Sequence, residues 1–306
     1  MASVTLAESA KLTQNMLLSG VIETIVTVNP IYEVFPFMEI DGNALAYNRE
    51  LVAGDVQFAG VGSTITAKAA ATFTAKSAAL TTLIGDAEVN LLIEATRSNY
   101  TDQKAVQVAS KAKSIGRQYQ QSLITGDGTS DSFEGLLTLL PVAQTVDTGT
   151  DGSNLSFDIL DNLIDLVKDK DGEVDYIMMN ARTIRSYYAL LRALGGANIS
   201  ETTTLPSGRK IPNYRGIPIF RNDYIPINQT KGGNASKCTT IFAGTFDDGS
   251  GKIGISGITA RNASGVRVDE VGIAQAKDES ITRVKMYCGL ALFSELGIAA
   301  ADGILN

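Results

Sequence analysis

The longest regular pattern in the chain lies between Gly85 and Leu140, where two helical patterns precede a glycine-rich stop and a short apolar strand. In the second and longer pattern, apolar or small residues recur every three or four positions, whereas Lys and Arg lie off that row. Thr101 and Asp102 predict the start of this helix, and Gly126 predicts its end. About 23 residues of helix correspond to roughly 35 Å. The row consists of Ala105, Val108, Ala109, Ala112, Ile115, Gly116, Tyr119 and Leu123.

Residues 41–80 contain two extended runs around a glycine-rich centre. From Ile65 to Lys76 the second run has Ile, Ala and Phe at odd positions and mainly Thr and Lys at even ones, and this period of two predicts a strand of a β-hairpin. Because the apolar face is mostly alanine and isolated hairpins are marginally stable in water, the hairpin should pack against another surface. The pattern leaves open whether that surface belongs to a neighbouring subunit or to the hairpin's own domain.

The first 40 residues predict a helix followed by an extended segment. Thr5 and Glu8 form a capping-box pattern ahead of a helix that runs to about Leu18. The apolar run after it contains Pro30 and Pro36, which favour an extended segment on a surface over a core helix.

An α+β pattern occupies residues 141–237. A helix predicted from Phe157 to Lys170 precedes a buried strand at residues 174–179, and Asn180 begins a second helix. Residues 209–222 have the pattern of two short strands with Pro at their margins. We call residues 141–237 the α+β module.

From Cys238 onward the pattern is β again. The last strand pattern alternates, and one face of it consists of Val284, Met286, Cys288, Leu290 and Leu292. The chain thus begins a sheet early and returns to it at the end, which predicts an α+β fold with the module inserted between.

Composition limits the chemistry that the chain can perform. The sequence has no histidine, which removes Ser-His-Asp and Cys-His catalysis and His-ligated zinc. Its two cysteines form no CxxC motif. A net charge of −7 argues against tight phosphate binding and instead suggests an acidic lining if the protein encloses DNA. We expect no export signal and no membrane span.

Three groups of carboxylates are candidate sites. Residues 147–158 match part of an EF-hand calcium loop, but Gly149 stands where an oxygen ligand is needed and Asp158 replaces the bidentate Glu. The pairs Asp247 with Asp248 and Asp127 with Asp131 lie in Gly/Ser-rich turns, which favours solvated loops over acid–base catalysis. We therefore expect no metal, no cofactor and no enzymatic activity.

A long helix that ends in a GDG loop and is followed by a Phe-x-Gly-Leu turn resembles the major capsid proteins of tailed bacteriophages, in which this helix is called the spine. The turn residues here are Phe133, Gly135 and Leu136. The resemblance extends over nearly the whole chain and implies the α+β Hong Kong 97-like capsid fold. It implies an N-terminal arm (1–40), an extended β-hairpin loop (41–80), the spine helix and start of the peripheral domain (81–140), an axial α+β domain (141–237) and returning β-strands (238–306).

The resemblance also implies a function and partners. A capsid protein of this kind assembles with itself, through hexamers and pentamers, into an icosahedral shell that encloses DNA without reading its sequence. Scaffold, portal and decoration proteins are further possible partners, and the virion, assembled in the host cytoplasm, is the expected location. The alternative for the arm is an edge segment of its own subunit. The residues predicted to contact neighbouring subunits are Tyr47, Arg49, Glu50, Lys68, Lys76, Arg209 and Arg215.

Three other classes of protein remain open on the sequence. An encapsulin-like bacterial compartment shares the implied fold and would differ in its cargo. A carboxylate-dependent hydrolase would need two acidic residues with raised pKa values in one pocket. A surface adhesin would agree with the β content but not with the long helix.

Overall fold

The computed structural model of the protein describes residues 30–92, 95, 103–129, 131–168, 172–194 and 202–305. The predicted N-terminal helix and the cap at Thr101 and Asp102 lie outside the described residues. The helices are α1 (Gln103–Thr125), α2 (Leu136–Leu139), α3 (Phe157–Lys168) and α4 (Ala181–Ala193). The strands are β1 (Phe37–Ile40), β2 (Ala44–Val52), β3 (Thr72–Ala79), β4 (Thr81–Asn90), β5 (Thr145–Val146), β6 (Ser153–Asn154), β7 (Tyr176–Met179), β8 (Thr202–Thr204), β9 (Lys210–Tyr214), β10 (Ile217–Arg221), β11 (Gln229–Lys231), β12 (Asn234–Gly244), β13 (Ile255–Ala260), β14 (Val266–Ile273), β15 (Glu279–Leu292) and β16 (Ile298–Leu305).

A five-stranded sheet, which we call sheet 1, is built on the long strand β15. Strand β15 pairs antiparallel with β13, β14 and β4, and β1 pairs parallel with β13 at the edge. Residues 85–90 belong to β4, so the first of the two predicted helical patterns is wrong there. Ala87 and Val89 are buried at alternate positions, and a ten-residue register with β15 overrides the helical spacing.

Helix α1 packs on β4 and β15 and confirms the predicted long helix. Its predicted apolar row is buried, except that Ala105 is half-buried and Ala109 is exposed. The helix ends at Gly126, whose amide donates to the Ser122 carbonyl. A Cβ at Gly126 would lie 2.2 Å from the Phe133 carbonyl oxygen, so this turn requires glycine. The apolar strand predicted after the stop is instead the one-turn helix α2, in which the Leu139 amide donates to the Gly135 carbonyl.

The nine-stranded sheet, which we call sheet 2, has the main order β5-β16-β12-β7-β10-β9-β8. Helices α3 and α4 pack with its strands in one apolar cluster. Both predicted helix starts are confirmed: Ser156 Oγ accepts from the Ile159 amide at 3.2 Å, and Asn180 Oδ1 accepts from the Arg182 amide at 3.0 Å. Residues 169 and 170 at the predicted end of α3 lie outside the described residues.

Strands β9 and β10 confirm the predicted strand pair at residues 209–222. Arg215 and Gly216 join the two strands and have φ of 53° and 84°, the left-handed values of a type I′ hairpin turn. The C-terminal β pattern is also confirmed, since the five residues predicted to share one face of β15 are all buried. Strand β16, which the sequence pattern did not delimit, lies between β12 and β5 in sheet 2.

The hairpin is formed by β2 and β3, which pair antiparallel over residues 44–52 and 72–79. The predicted strand from Ile65 is wrong, because the regular strand begins only at Thr72. The predicted apolar face is also reversed in burial, since Phe73 and Ala75 are exposed whereas Ala78 is buried. In the isolated subunit, the alternation thus places its apolar side chains in solvent.

Candidate assembly surface

The base of the hairpin is held to sheet 1 by Arg49. This side chain is only 9% exposed, and its guanidinium donates to the Leu292 carbonyl at 2.5 Å and to the Phe293 carbonyl at 3.1 Å. It also forms an ion pair with Glu295 at 2.7 Å. The planar guanidinium group thus donates hydrogen bonds to two backbone carbonyls and a carboxylate at the end of β15. The base of the hairpin is therefore fixed to sheet 1.

Tyr47 adds a second contact at the same base. Its hydroxyl donates to the Leu292 carbonyl at 2.8 Å, and its ring lies edge-on to the Phe293 ring with 5.3 Å between centroids. Burial raises the pKa of the Tyr47 hydroxyl above its ordinary value, so it stays protonated and donates at neutral pH.

The hairpin tip, which we define as residues 53–71, is held together without a regular strand ladder. The Gln57 side-chain oxygen accepts from the Thr66 amide at 2.8 Å and the Ala67 amide at 2.7 Å. Its amide nitrogen donates to the Thr64 carbonyl at 3.2 Å. A side chain thus replaces the ladder, which explains why the two-residue alternation did not produce a strand here.

Large apolar side chains on the hairpin tip and next to it are exposed. Phe58 and Val61 are fully exposed, with relative accessibilities of 108% and 112%. Burial of one such side chain typically contributes about 1.5–3 kcal/mol, so several of them on one loop favour association with another surface. The exposed set is Val52, Val56, Phe58, Val61, Ile65 and Phe73.

A groove of about 670 Å³ lies beside the hairpin base. It is lined by Arg49, Glu50 and Phe73 from the hairpin, by residues 141–144, and by Glu295 with its neighbours. The groove combines apolar and charged walls, as do surfaces that receive another polypeptide segment.

The residues predicted to contact neighbouring subunits fall in two places. Glu50, Lys68 and Lys76 are exposed on the hairpin and form no ion pair within the described residues. Tyr47 and Arg49, by contrast, contact their own chain. The subunit-contact role of all of these residues stays a prediction.

The other two predicted contact residues lie in the α+β module. Arg209 is exposed next to β9, whereas Arg215 forms an ion pair with Asp161 of α3 at 3.2 Å. The Tyr214 hydroxyl donates to the same carboxylate at 2.6 Å. Arg215 therefore already has a partner in its own subunit, and contact with a neighbour stays a prediction for both arginines.

Two of the candidate catalytic or metal-binding carboxylates accept hydrogen bonds from their own chain. The Thr129 and Ser132 hydroxyls donate to Asp127 and hold the pKa of that carboxyl at about 2. Asp151 accepts from the Gly233 amide at 2.7 Å. Among the described residues, no cluster of His, Cys, Asp and Glu has the geometry of a metal site.

Asp175 is the carboxyl group whose pKa burial raises within the described part of the chain. It accepts from the Phe246 amide at 2.8 Å, where the chain passes from sheet 2 to sheet 1.

Both cysteines are buried free thiols, and burial raises the pKa of Cys288 to about 12. Across the parts of the chain that the structure covers, no helix combines the length and apolar character that a bilayer crossing requires.

Comparison with known proteins relates this arrangement to viral and bacterial shells. No curated protein matches the sequence. Among solved structures, the SrpI encapsulin of Synechococcus elongatus PCC 7942 is 17% identical, with a TM-score of 0.70, over 90% of this chain and 87% of that chain. The capsid of a native GTA particle is 16% identical, with a TM-score of 0.63, over 92% and 90%. The capsid of the myovirus phage XM1 is 12% identical, with a TM-score of 0.59, over 90% and 91%.

These structures share the Hong Kong 97-like α+β fold, and at such identities the likeness establishes the fold alone. The sequence itself carries the family assignment, because the model of the phage capsid family matches residues 12–300. That match spans the hairpin, α1, the α+β module and most of the returning strands. The chain belongs to the phage capsid family.

Proposed function

We propose that this chain is the major capsid protein of a tailed bacteriophage, and that it assembles through hexamers and pentamers into an icosahedral shell around double-stranded DNA. The observation that carries the proposal is the hairpin, which is clamped at its base by Arg49 and exposes large apolar side chains at and beside its tip. A subunit gains by burying these side chains on a neighbour. In a closed shell each copy both donates a hairpin and receives one.

The same proposal assigns roles to the other parts of the chain. Helix α1 and sheet 1 provide a rigid body, because α1 packs along β4 and β15. The α+β module supplies contacts around the five- and six-fold axes. Scaffold, portal and decoration proteins are proposed as partners, with assembly in the host cytoplasm and residence in the virion.

Electron microscopy and analytical sedimentation of the purified protein test the proposal. The wild-type chain should form closed shells or free pentamers and hexamers. A Phe58→Ser/Val61→Ser variant should remain a folded subunit that no longer closes shells, because both side chains are fully exposed in the subunit. The matched control is Val271→Ser, an exposed apolar residue of β14 in sheet 1. A wild-type protein that stays monomeric under all conditions, or tip variants that form normal shells, would contradict the proposal.

A second candidate is the shell of an encapsulin-like bacterial compartment. The SrpI encapsulin structure, with its TM-score of 0.70, favours it. The contents of shells purified with the neighbouring genes expressed decide between the two: packaged DNA supports the phage capsid, and a single packaged protein supports the compartment.

A further inference from the structure

Helix α1 carries positive charge in an acidic chain. The protein has a net charge of −7, yet residues 103–125 contain four Lys and Arg and no Asp or Glu. The positively charged residues are Lys104, Lys111, Lys113 and Arg117. This rigid element of an acidic protein therefore carries positive charge and no carboxylate of its own.

Two of these four residues already have acidic neighbours. Lys104 forms an ion pair with Glu270 of β14 at 2.6 Å. The Lys111 ammonium lies close enough to Asp86 to help lower the pKa of that carboxyl, behind the larger effect of the hydrogen bonds from Arg283. Neither residue carries positive charge that is fully available to a further partner.

Lys113 and Arg117 are different. Both are exposed, and neither forms an ion pair with a described residue. They stand four residues apart, so they lie on the same side of the helix about 6 Å apart along its axis. The exposed polar residues beside them are uncharged and carry hydrogen-bond donors. We call the set Ser110, Lys113, Ser114, Arg117, Gln118 and Gln121 the spine face.

The opposite side of α1 is fixed in the core. Val108, Ala112, Ile115, Tyr119 and Leu123 pack in the same cluster as residues of β4 and β15. The helix therefore cannot leave sheet 1 to enter a nucleic-acid groove. A partner therefore contacts the spine face on a flat, rigid surface, through its hydroxyl, amide, ammonium and guanidinium donors.

We propose that the spine face is part of the inner surface of the shell and binds phosphates of the enclosed double-stranded DNA. The inference rests on the proposed function, and it names the part of the subunit that meets the DNA. Phosphate contacts from Lys, Arg, Ser and Gln carry no sequence information, which agrees with a shell that accepts any genome. The proposal replaces the acidic lining that net charge alone suggested, because the charge is distributed unevenly over the subunit.

Duplex DNA binding by the soluble subunits or capsomers tests this assignment. Fluorescence anisotropy of a labelled DNA duplex is measured between about 50 and 200 mM salt, where phosphate contacts weaken steeply. In the Lys113→Gln/Arg117→Gln variant we expect affinity at the lower salt to fall about tenfold, and the slope of log K against log salt to shrink by about 1.8 for two lost phosphate contacts.

The matched control removes the same charge from another helix. Arg185 and Arg192 of α4 are also exposed, and neither forms an ion pair with a described residue. The Arg185→Gln/Arg192→Gln variant should bind DNA with nearly the wild-type affinity and slope. Equal losses in the two variants would overturn the assignment, because they would show binding to net charge alone. Wild-type protein that binds no duplex at the lower salt, or that binds polyglutamate as tightly as DNA, would overturn it too.

A second experiment locates the spine face in the assembled shell. Both natural cysteines are buried, so a Ser110→Cys variant presents a single accessible thiol. A polymer-linked maleimide too large for the shell pores should label this thiol in dissociated subunits and not in closed shells. Labelling of intact shells would overturn the placement on the inner surface. Electron microscopy of the same samples reports shell formation separately, so failure of this inference is distinguishable from failure of the proposed function.

Discussion

The hairpin and the α+β module bury their apolar side chains in different places. In the module, α3 places Leu160 and Leu163 wholly inside the subunit, against the strands of sheet 2. In the hairpin, Phe58 and Val61 contact nothing comparable and stand in solvent. The module can therefore be stable as part of a single subunit, whereas we propose that the hairpin tip packs against an apolar partner outside the subunit. The following predictions test this difference.

The largest expected effect is the loss of assembly on deletion of residues 45–80. The Leu80 amide donates to the Asn43 carbonyl at 2.8 Å, so the two ends of the deletion lie side by side and can be joined with little strain. We expect a folded, soluble subunit with a cooperative thermal transition and no shells by electron microscopy. Normal shells from this variant would show that the hairpin is dispensable.

A truncation in the core of the α+β module should instead lower the stability of the subunit. Leu163→Ala removes a fully buried side chain and should lower the free energy of unfolding by about 2–5 kcal/mol. Chemical denaturation of the unassembled subunit measures this loss. Phe58→Ala is the control and should change the same free energy by less than about 0.5 kcal/mol, because Phe58 is fully exposed. A similar loss in both variants would mean that the hairpin tip is packed within the subunit.

Arg49 connects the exposed hairpin to the buried part of the subunit, because its side chain binds the end of strand β15. In Arg49→Ala, the Leu292 and Phe293 carbonyls lose the guanidinium donor. We expect the free energy of local opening at the hairpin base to fall by about 1–3 kcal/mol. Hydrogen exchange of β2 and β3 amides measures this change. Glu50→Ala, one residue along on the exposed face, should leave exchange unchanged. Unaltered exchange in Arg49→Ala would show that Tyr47 alone holds the base.

The smallest expected effect concerns pH and the module. Burial raises the pKa of Asp175 in the folded subunit, so the folded state holds its proton more tightly than the unfolded state. The stability that Asp175 contributes to the folded state is fully present below the ordinary pKa of an aspartate. It is lost as the pH rises through the raised pKa. Asp175→Asn keeps an acceptor for the Phe246 amide and removes this loss. Its stability relative to wild type should therefore increase from about pH 4 to pH 7.

Thermal unfolding across that pH range measures the Asp175 effect. The hairpin lacks such a buried carboxyl among its described residues, and Glu50→Gln, at an exposed carboxyl, is the control variant. An Asp175→Asn variant that becomes less stable than wild type as pH rises would contradict the raised pKa.

Elements whose partners lie close in sequence or whose periodicity is long were predictable from the sequence. Helix α1 satisfies its own backbone over 23 residues, and its apolar row, apart from Ala105 and Ala109, is the buried one. The caps at Ser156 and Asn180 are local hydrogen bonds, and the turn at Arg215 and Gly216 is equally local. The resemblance to capsid proteins followed from the order of these elements along the chain.

Tertiary structure decided the rest, because there a distant partner outweighed the local pattern. Residues 85–90 are a strand since β15, nearly 200 residues later, supplies their hydrogen bonds. Residues 65–71 are not a strand, and the Gln57 side chain accepts from the Thr66 and Ala67 amides, which a strand ladder would use. The anchoring of Arg49 depends on carbonyls at the end of β15, which no spacing in the sequence reveals. The sequence by itself thus determined helices α1, α3 and α4, their local caps and the family. The pairing of distant strands and the separation of buried from exposed apolar residues were set by the folded chain.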